Sequence, residues 1–342
     1  MGTASQPANV PSAAANQGNT LPSHKLLALY HTMVMARAVE RRVWVLNRLS
    51  ETAVTLGAGG AEALQVAASA ALQPGTDWVV PHPRDLTLCL AMGLTPLDLM
   101  LAVFGRASDP GSGGRQAPGS FGLRRARVVT TSVLAGTQVV HAAGIAYASK
   151  QQGLDEVTLV SVGLRATDTG DWHEGLNFAA VHGLPLVCLV QDSSADHTSA
   201  SPGLPGQHAA DLIARRARGY GMAGDSVDGT DFAEALTALG RAVERARSGE
   251  GPTLVHARVA GLTSLTSRGT RQPPEQLEAL ARQDPIERMR RDLHETLVLD
   301  DATEDQIQRD CILVVEAAVQ QARSSPSPEA ARALDNVFEG AR

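Results

Sequence analysis

The chain has 342 residues, 43% of them hydrophobic and 19% charged, with a formal net charge of −6. That length can bury the core of one large α/β domain or two small ones, and so modest an acidity leaves no basic footprint for nucleic acid. Cys89, Cys188 and Cys311 lie far apart without metal-ligand spacing; no apolar run reaches the roughly 18 residues that span a bilayer, so no membrane partner is expected and the cytoplasm is the default location.

Residues 1–22 are rich in Ala, Ser, Asn, Gln and Pro, with neither a basic start nor an apolar block, and read as a disordered tail rather than a signal peptide. From 24 to about 49 runs a helical pattern, with Leu26, Leu29, Tyr30, Met33 and Val34 on one stripe. A second helix follows Gly60-Ala61-Glu62-Ala63. Residues 77–81 read as a strand, followed by His82-Pro83-Arg84-Asp85. Residues 95–105 read as a helix and 104–118 as a Gly-rich loop, which lacks the strand–turn–helix context of a phosphate cradle. The spacing predicts a strand over 128–134 and a small-residue helix over 138–150.

Residues 157–162 and 186–190 are short apolar runs with β-branched side chains, as expected of strands buried on both faces. Between them Trp172, Leu176, Ala179 and Ala180 recur at helical spacing, and Asp168 and Asp171 flank Gly170 near the helix start, where the macrodipole favours them. This βαβ unit puts the loop after Gly163 at the carboxyl ends of parallel strands, where open α/β sheets bind ligands. Cys188 lies in the second apolar run and reads as a buried, inert thiol. A loop over 194–207 follows, then a helix over 209–220 whose Arg215, Arg216 and Arg218 suit a solvated face. Residues 227–229 read as a strand end and turn, Phe232–Arg247 as an amphipathic helix, 252–259 as the last strand, and about 275–297 and 304–322 as terminal helices. The pattern predicts a single α/β domain over 23–342 with a mostly parallel sheet flanked by helices and a helical C-terminal extension from about residue 274.

The central unit resembles the thiamine diphosphate segment in the α subunit of 2-oxo acid dehydrogenases, the decarboxylating component of the pyruvate and branched-chain complexes. That family runs Gly-Asp-Gly-Ala, then Glu-Gly-Asp, a helix ending Asn-Phe-Ala-Ala, and Pro before a strand closing on Asn-Asn. Here Gly163, Ala166, Gly170, Asp171, Asn177-Phe178-Ala179-Ala180 and Pro185 fall in place. The likeness covers about residues 24–338: Gly60-Ala61-Glu62-Ala63 matches a Gly-Gln-Glu-Ala turn, and Arg106-Ala107-Ser108-Asp109 and Gly114-Arg115-Gln116 follow the branched-chain type. It implies a Rossmann-like thiamine diphosphate-binding fold and oxidative decarboxylation of a branched-chain 2-oxo acid or pyruvate, with acyl transfer to lipoamide. It also implies magnesium, a β-type subunit in a heterotetramer (or else a homodimer), and a lipoyl acyltransferase core. Arg84, Ala135, Gly163, Arg165 and Ala166 match cofactor-contacting positions. Ser132, Thr137 and Gln138 match a potassium site, although each is also a common capping residue.

Several chemistry-bearing positions differ from the family. Gly-Asp-Gly is Gly163-Leu164-Arg165, Asn-Asn is Asp192-Ser193, and the Tyr-Arg that contacts diphosphate is Pro83-Arg84. Counting back from Pro273-Pro274-Glu275, the catalytic histidine position falls at Leu262, and the following Asp-Asp is Thr266-Ser267. Magnesium wants hard oxygen ligands; Leu164 offers none and Ser193 only a neutral hydroxyl. Leu262 can transfer no proton. Three readings stand: a degenerate α-type subunit, an active subunit with an unorthodox site, and a metal-free anion-binding protein using Arg84 and Arg165. Against the last, Asp168, Asp171, Asp192 and Asp196 offer those arginines internal ion pairs. His173 and Glu174, adjacent and therefore on different helix faces, make no acid–base pair, and His197 and His208 show no partner in the sequence.

Overall fold

The computed structural model describes residues 21–54, 56–193, 208–262, 278 and 281–335. The expected tail up to residue 20, the 194–207 loop with Asp196 and His197, and Thr266-Ser267 lie outside the described residues. In chain order come α1 (Ser23–Arg48), α2 (Glu62–Ala71), β1 (Trp78–Val80), α3 (Leu86–Ala91), α4 (Pro96–Val103), α5 (Thr137–Gln151), β2 (Thr158–Gly163), α6 (Gly170–Val181), β3 (Leu186–Asp192), α7 (His208–Gly219), β4 (Ala223–Asp228), α8 (Phe232–Arg247), β5 (Thr253–Arg258), α9 (Pro285–Glu295) and α10 (Asp301–Ser324). The five strands form one sheet in the order β1-β2-β3-β5-β4, and every pairing is parallel.

Strand periodicity sorts the core. In β3, Val187 and Leu189 face α1, α2, α8 and α10, while Leu186, Cys188 and Val190 face α5, α6 and α7. Both sets are fully buried, which is why this strand reads as one continuous apolar run rather than an alternation. Burial pushes the Cys188 thiol up to about 12, as expected of an inert core cysteine. On the second face α5 and α6 approach closely at Gly175, where a Cβ would stand 2.9 Å from Val139 Cγ1. Trp172, 0% exposed, fills the space under that crossing. Thr169 caps α6 by accepting a hydrogen bond from the Trp172 amide. A smaller cluster, Tyr30, Met33, Val66, Ile286, Met289 and Leu293, joins α9 to α1 and α2.

The 128–134 segment is not a strand. Val128 makes single bridges to Val79 and Leu123, after which the chain leaves the sheet, and Thr131 satisfies Phe121 instead: its amide donates to Phe121 O (2.9 Å) and its Oγ1 accepts from Phe121 N (3.1 Å). β1 is only three residues long, too short to extend a ladder beyond the Val79 bridge. Conversely, β4 reaches back to Ala223 through the polar Asp225 and Ser226, because an edge strand is only partly covered. Helix α3, LTLCLA, was hidden by its brevity and by the proline and glycine around it. Arg216 is not merely solvated: its Nη1 donates to Thr167 O at 2.9 Å, tying α7 to the turn after β2.

Truncating Trp172 to Ala should cost about 3–5 kcal/mol, the range for emptying a large aromatic site. The midpoint of a urea unfolding curve should fall accordingly, with the slope unchanged.

Candidate functional site

A cleft opens beyond the carboxyl ends of four of the parallel strands, the expected position for a ligand in an open α/β sheet. It is lined by His82 and Arg84 after β1, Gly163 closing β2, Gln191 and Ser193 at the end of β3, and Val259–Gly261 after β5, with Gly57, Ala58 and Gly59 as the facing wall. The wall is fixed by the chain itself: Ala260 N donates to Gly60 O and Leu262 N to Gly59 O, both at 3.1 Å. Gly60 has φ +104°, and a Cβ there would lie 1.5 Å from Ala260 O, so no other residue permits this approach.

Beneath the cleft lies a polar floor. Asp85 accepts from Gln191 Nε2 (2.5 Å), Gln65 Nε2 (3.2 Å) and His82 N (2.8 Å), and Gln191 Nε2 also donates to Ser161 Oγ (2.6 Å). Burial pushes the Asp85 carboxyl up to about 6 despite those donors and the neighbouring Arg84. The Arg84 amide donates to His82 Nδ1 at 3.2 Å, so the proton of the neutral imidazole sits on Nε2. Burial, and secondarily Arg84, lower His82 to about 3, which keeps it neutral. Burial also lowers Arg84, and Asp85 only partly offsets it. Among the described residues the Arg84 guanidinium has no hydrogen bond or ion pair. Its Nη2 and His82 Nε2 converge on the space beside Gly163, where a Cβ would be 3.6 Å and 3.5 Å away.

The other anticipated residues fall as follows. Arg165 is exposed and is not among the cleft-lining residues, while Ala166 is buried beneath the turn. Leu164 packs its side chain on the α5–α6 core, and its carbonyl accepts from Thr167 Oγ1 at 2.8 Å. Asp168 lies 3.7 Å from Arg216, Asp171 accepts from Thr137 Oγ1 (2.9 Å), and Asp192 meets His256 Nε2 (3.0 Å). Each of these three acids therefore has a partner other than Arg84 or Arg165. Ser132 Oγ accepts from Leu134 N at 3.1 Å, Ala135 is exposed, and Gln138, 2% exposed, leaves Oε1 without a partner among the described residues. His173 Nδ1 meets the Tyr220 hydroxyl at the surface, outside the cleft. Among the described residues, the one group of His and carboxylates close enough to share a metal, His294, Asp301 and Glu304, lies at the α9–α10 junction.

Fold and cleft define a parallel-sheet α/β protein whose strand-end cleft is lined by the cation Arg84. A family model described as "Dehydrogenase E1 component" matches residues 30–331. The chain is similar to the "2-oxoisovalerate dehydrogenase subunit alpha" of Bacillus subtilis (strain 168), with 37% identity over 326 residues covering 94% of this chain and 98% of that one. It is 34% identical over 304 residues to the "3-methyl-2-oxobutanoate dehydrogenase subunit alpha" of Mycobacterium tuberculosis (strain ATCC 25618 / H37Rv), covering 88% and 79%. It is 28% identical over 324 residues to the "Pyruvate dehydrogenase E1 component subunit alpha" of Staphylococcus aureus (strain MW2), covering 93% and 84%. The chain belongs to the dehydrogenase E1 component family, as an α-type subunit.

That family depends on thiamine diphosphate, and this cleft fits the two ends of its metal–diphosphate group unequally. Arg84, His82 and the opening at Gly163 suit an anion. The metal is poorly served: Leu164 presents hydrocarbon turned into the core, and Ser193 offers one neutral hydroxyl.

Asp85 gives a pH test. Its folded pKa of about 6 lies above the ordinary 3.8, so the folded state holds the proton more tightly. The associated stability is complete below about pH 4 and is lost as pH rises through about 6; a two-unit shift amounts to about 3 kcal/mol. His82, lowered to about 3, contributes the opposite slope over the same range, so the check is the difference in unfolding free energy between wild type and Asp85→Asn, which should decline by about that amount from pH 4 to 7.

Proposed function

We propose that this chain is the α-type half of a 2-oxo acid dehydrogenase component of the branched-chain kind, with ordinary magnesium–thiamine diphosphate catalysis impaired. The observation that carries the reading is Leu164: at the position where the family has a metal-binding aspartate, this chain has an aliphatic side chain packed against the α5–α6 core. The branched-chain assignment is supported by the Bacillus and Mycobacterium relatives and by the fragments at 106–109 and 114–116. When bound, thiamine diphosphate supplies the carbanion chemistry that cleaves a 2-oxo acid. In this cleft Arg84 and His82 would hold its anionic end and Gly163 would admit it, whereas Leu262 at the histidine position has no group to move a proton.

The reading includes one domain over residues 23–342 and a cytoplasmic location. It also includes a potassium ion held by Ser132, Thr137 and Gln138, for which the buried Gln138 Oε1, without a partner among the described residues, is the support. Assembly with a β-type subunit, and through it with a lipoyl acyltransferase core, is supported by an exposed apolar surface over α5 and α6. Val133, Leu134 and Val140 are exposed around the start of α5 and Phe178 and Val181 at the end of α6, with Val133 and Val181 at 79% and 72%. Light scattering should give a heterotetramer when a β-type subunit is co-expressed, and otherwise a homodimer; a monomer under both conditions would refute the assembly.

Restoring Leu164→Asp, Arg165→Gly and Ser193→Asn together should create magnesium-dependent thiamine diphosphate binding that the wild type lacks. Regained charge-assisted ligands contribute several kcal/mol, against roughly half a kcal/mol for ordinary surface changes. Turnover should not return, because Leu262 is unchanged. Wild-type protein that decarboxylates a branched-chain 2-oxo acid in the presence of magnesium would overturn the impaired reading.

A further inference from the structure

The family's cofactor reaches its site as a metal–diphosphate, and the metal half of that arrangement has no good ligands here. The anion half keeps its donors, and these need no metal to act. Arg84 is a part-buried cation without a hydrogen bond or ion pair among the described residues. The adjacent Asp85 carboxylate does not serve it, being turned onto Gln65, Gln191 and the His82 amide. A guanidinium drawn out of water without a partner is a standing cost that a bound anion would offset. His82 adds a donor whose direction is fixed, because the Arg84 amide occupies Nδ1 and leaves the proton on Nε2. Both nitrogens converge beside Gly163, where no side chain intervenes. The opposite wall is glycine and alanine, and Ser193 brings a third donor, a neutral hydroxyl, to the rim.

We propose that this cleft binds a phosphate or diphosphate group directly between Arg84 and His82 Nε2–H, without a divalent cation. The inference rests on the reading that the magnesium positions have been lost. It reverses the usual order of dependence: in a metal site the anion follows the cation, whereas here the anion answers a charge the protein already carries. The substitution of aspartate by Leu164 favours the change twice. It removes the carboxylate that would recruit a cation, and it removes a negative charge that would repel a bare phosphate. Arg165, exposed beyond the cleft lining, lies outside the proposed contacts.

The test is calorimetry on the full chain, with its β-type subunit where the two co-purify, in EDTA. The probes are orthophosphate, pyrophosphate, thiamine diphosphate and unphosphorylated thiamine. At least one phosphate probe should bind in EDTA, with an affinity that excess Mg²⁺ changes by less than about threefold, and thiamine should not bind; a threefold change is well under 1 kcal/mol. Comparable binding of pyrophosphate and thiamine diphosphate identifies a site for any diphosphate; thiamine diphosphate much the tighter identifies the cofactor's tail; orthophosphate alone identifies a monophosphate site. Arg84→Gln should weaken binding at least about tenfold, as loss of a charge-assisted donor implies, with Arg84→Lys intermediate and His82→Ala several-fold weaker. An unchanged melting temperature without ligand verifies that each variant folds, and Arg84→Lys serves if Arg84→Gln does not.

Failure of every phosphate probe to bind in EDTA and in Mg²⁺ alike overturns this inference and leaves the impaired α-type reading standing. Binding that appears only with Mg²⁺ overturns both. Binding in EDTA that Arg84→Gln and His82→Ala leave intact refutes the assigned contacts and with them the proposal.

Discussion

A single buried carboxylate sets the shape of the cleft. Glu62, 1% exposed at the start of α2, accepts from Arg37 Nε at 2.6 Å and from the Gly60 amide at 2.7 Å. The far end of Arg37 reaches Asp284 before α9, at 2.8 Å and 3.2 Å, and Glu40 one turn along α1 accepts from Ala58 N at 2.9 Å. Three acids and one arginine thus pin the 57–60 turn to three helices. Removing one partner from such a network strands a buried charge, a cost of about 3–5 kcal/mol. The consequence reaches the site, because the pinned turn then binds the chain leaving β5 through Ala260 and Leu262. The glycine wall opposite Arg84 is therefore positioned by groups that never face the cleft.

The same economy of contacts governs the floor. Gln65, Asp85, Ser161 and Gln191 come from α2, the turn before α3, β2 and β3, and satisfy one another beneath the ligand position. In a low-dielectric interior such a network rigidifies whatever it supports. It holds Asp85 away from Arg84, so the cleft keeps a positive charge that local sequence order would have neutralised. Leu164, just after β2, packs on the core, and the charged group left facing the cleft is Arg84.

Much of this was legible beforehand. The β2 and β3 runs announced strands covered on both faces, and Phe232–Arg247 announced itself by its amphipathic spacing, with Asp231 capping it in the structure. Both signals are local. β4 was visible only at its end because an edge strand need not be apolar, and 128–134 misled because β-branched residues record a preference for extended backbone, not the presence of a neighbour to pair with. Arg84 could be singled out from its motif. His82 could not, since its donor role depends on a backbone amide two residues on and on Gly163, which is distant in sequence. The Gln65–Asp85–Gln191 floor left no signal beyond polar residues in otherwise apolar surroundings.

The sequence by itself determined the α/β class, the order of its main elements and the family. These follow from local periodicity and from residue identities that need no coordinates. Only the tertiary structure decided where the charges go: Asp168 to Arg216, Asp171 to Thr137, Asp192 to His256, and none of these to Arg84. Pairing of charges depends on distance through space, and the parallel crossover connections bring together residues some 80 positions apart, such as His82 and Gly163, while parting neighbours such as Arg84 and the Asp85 carboxylate.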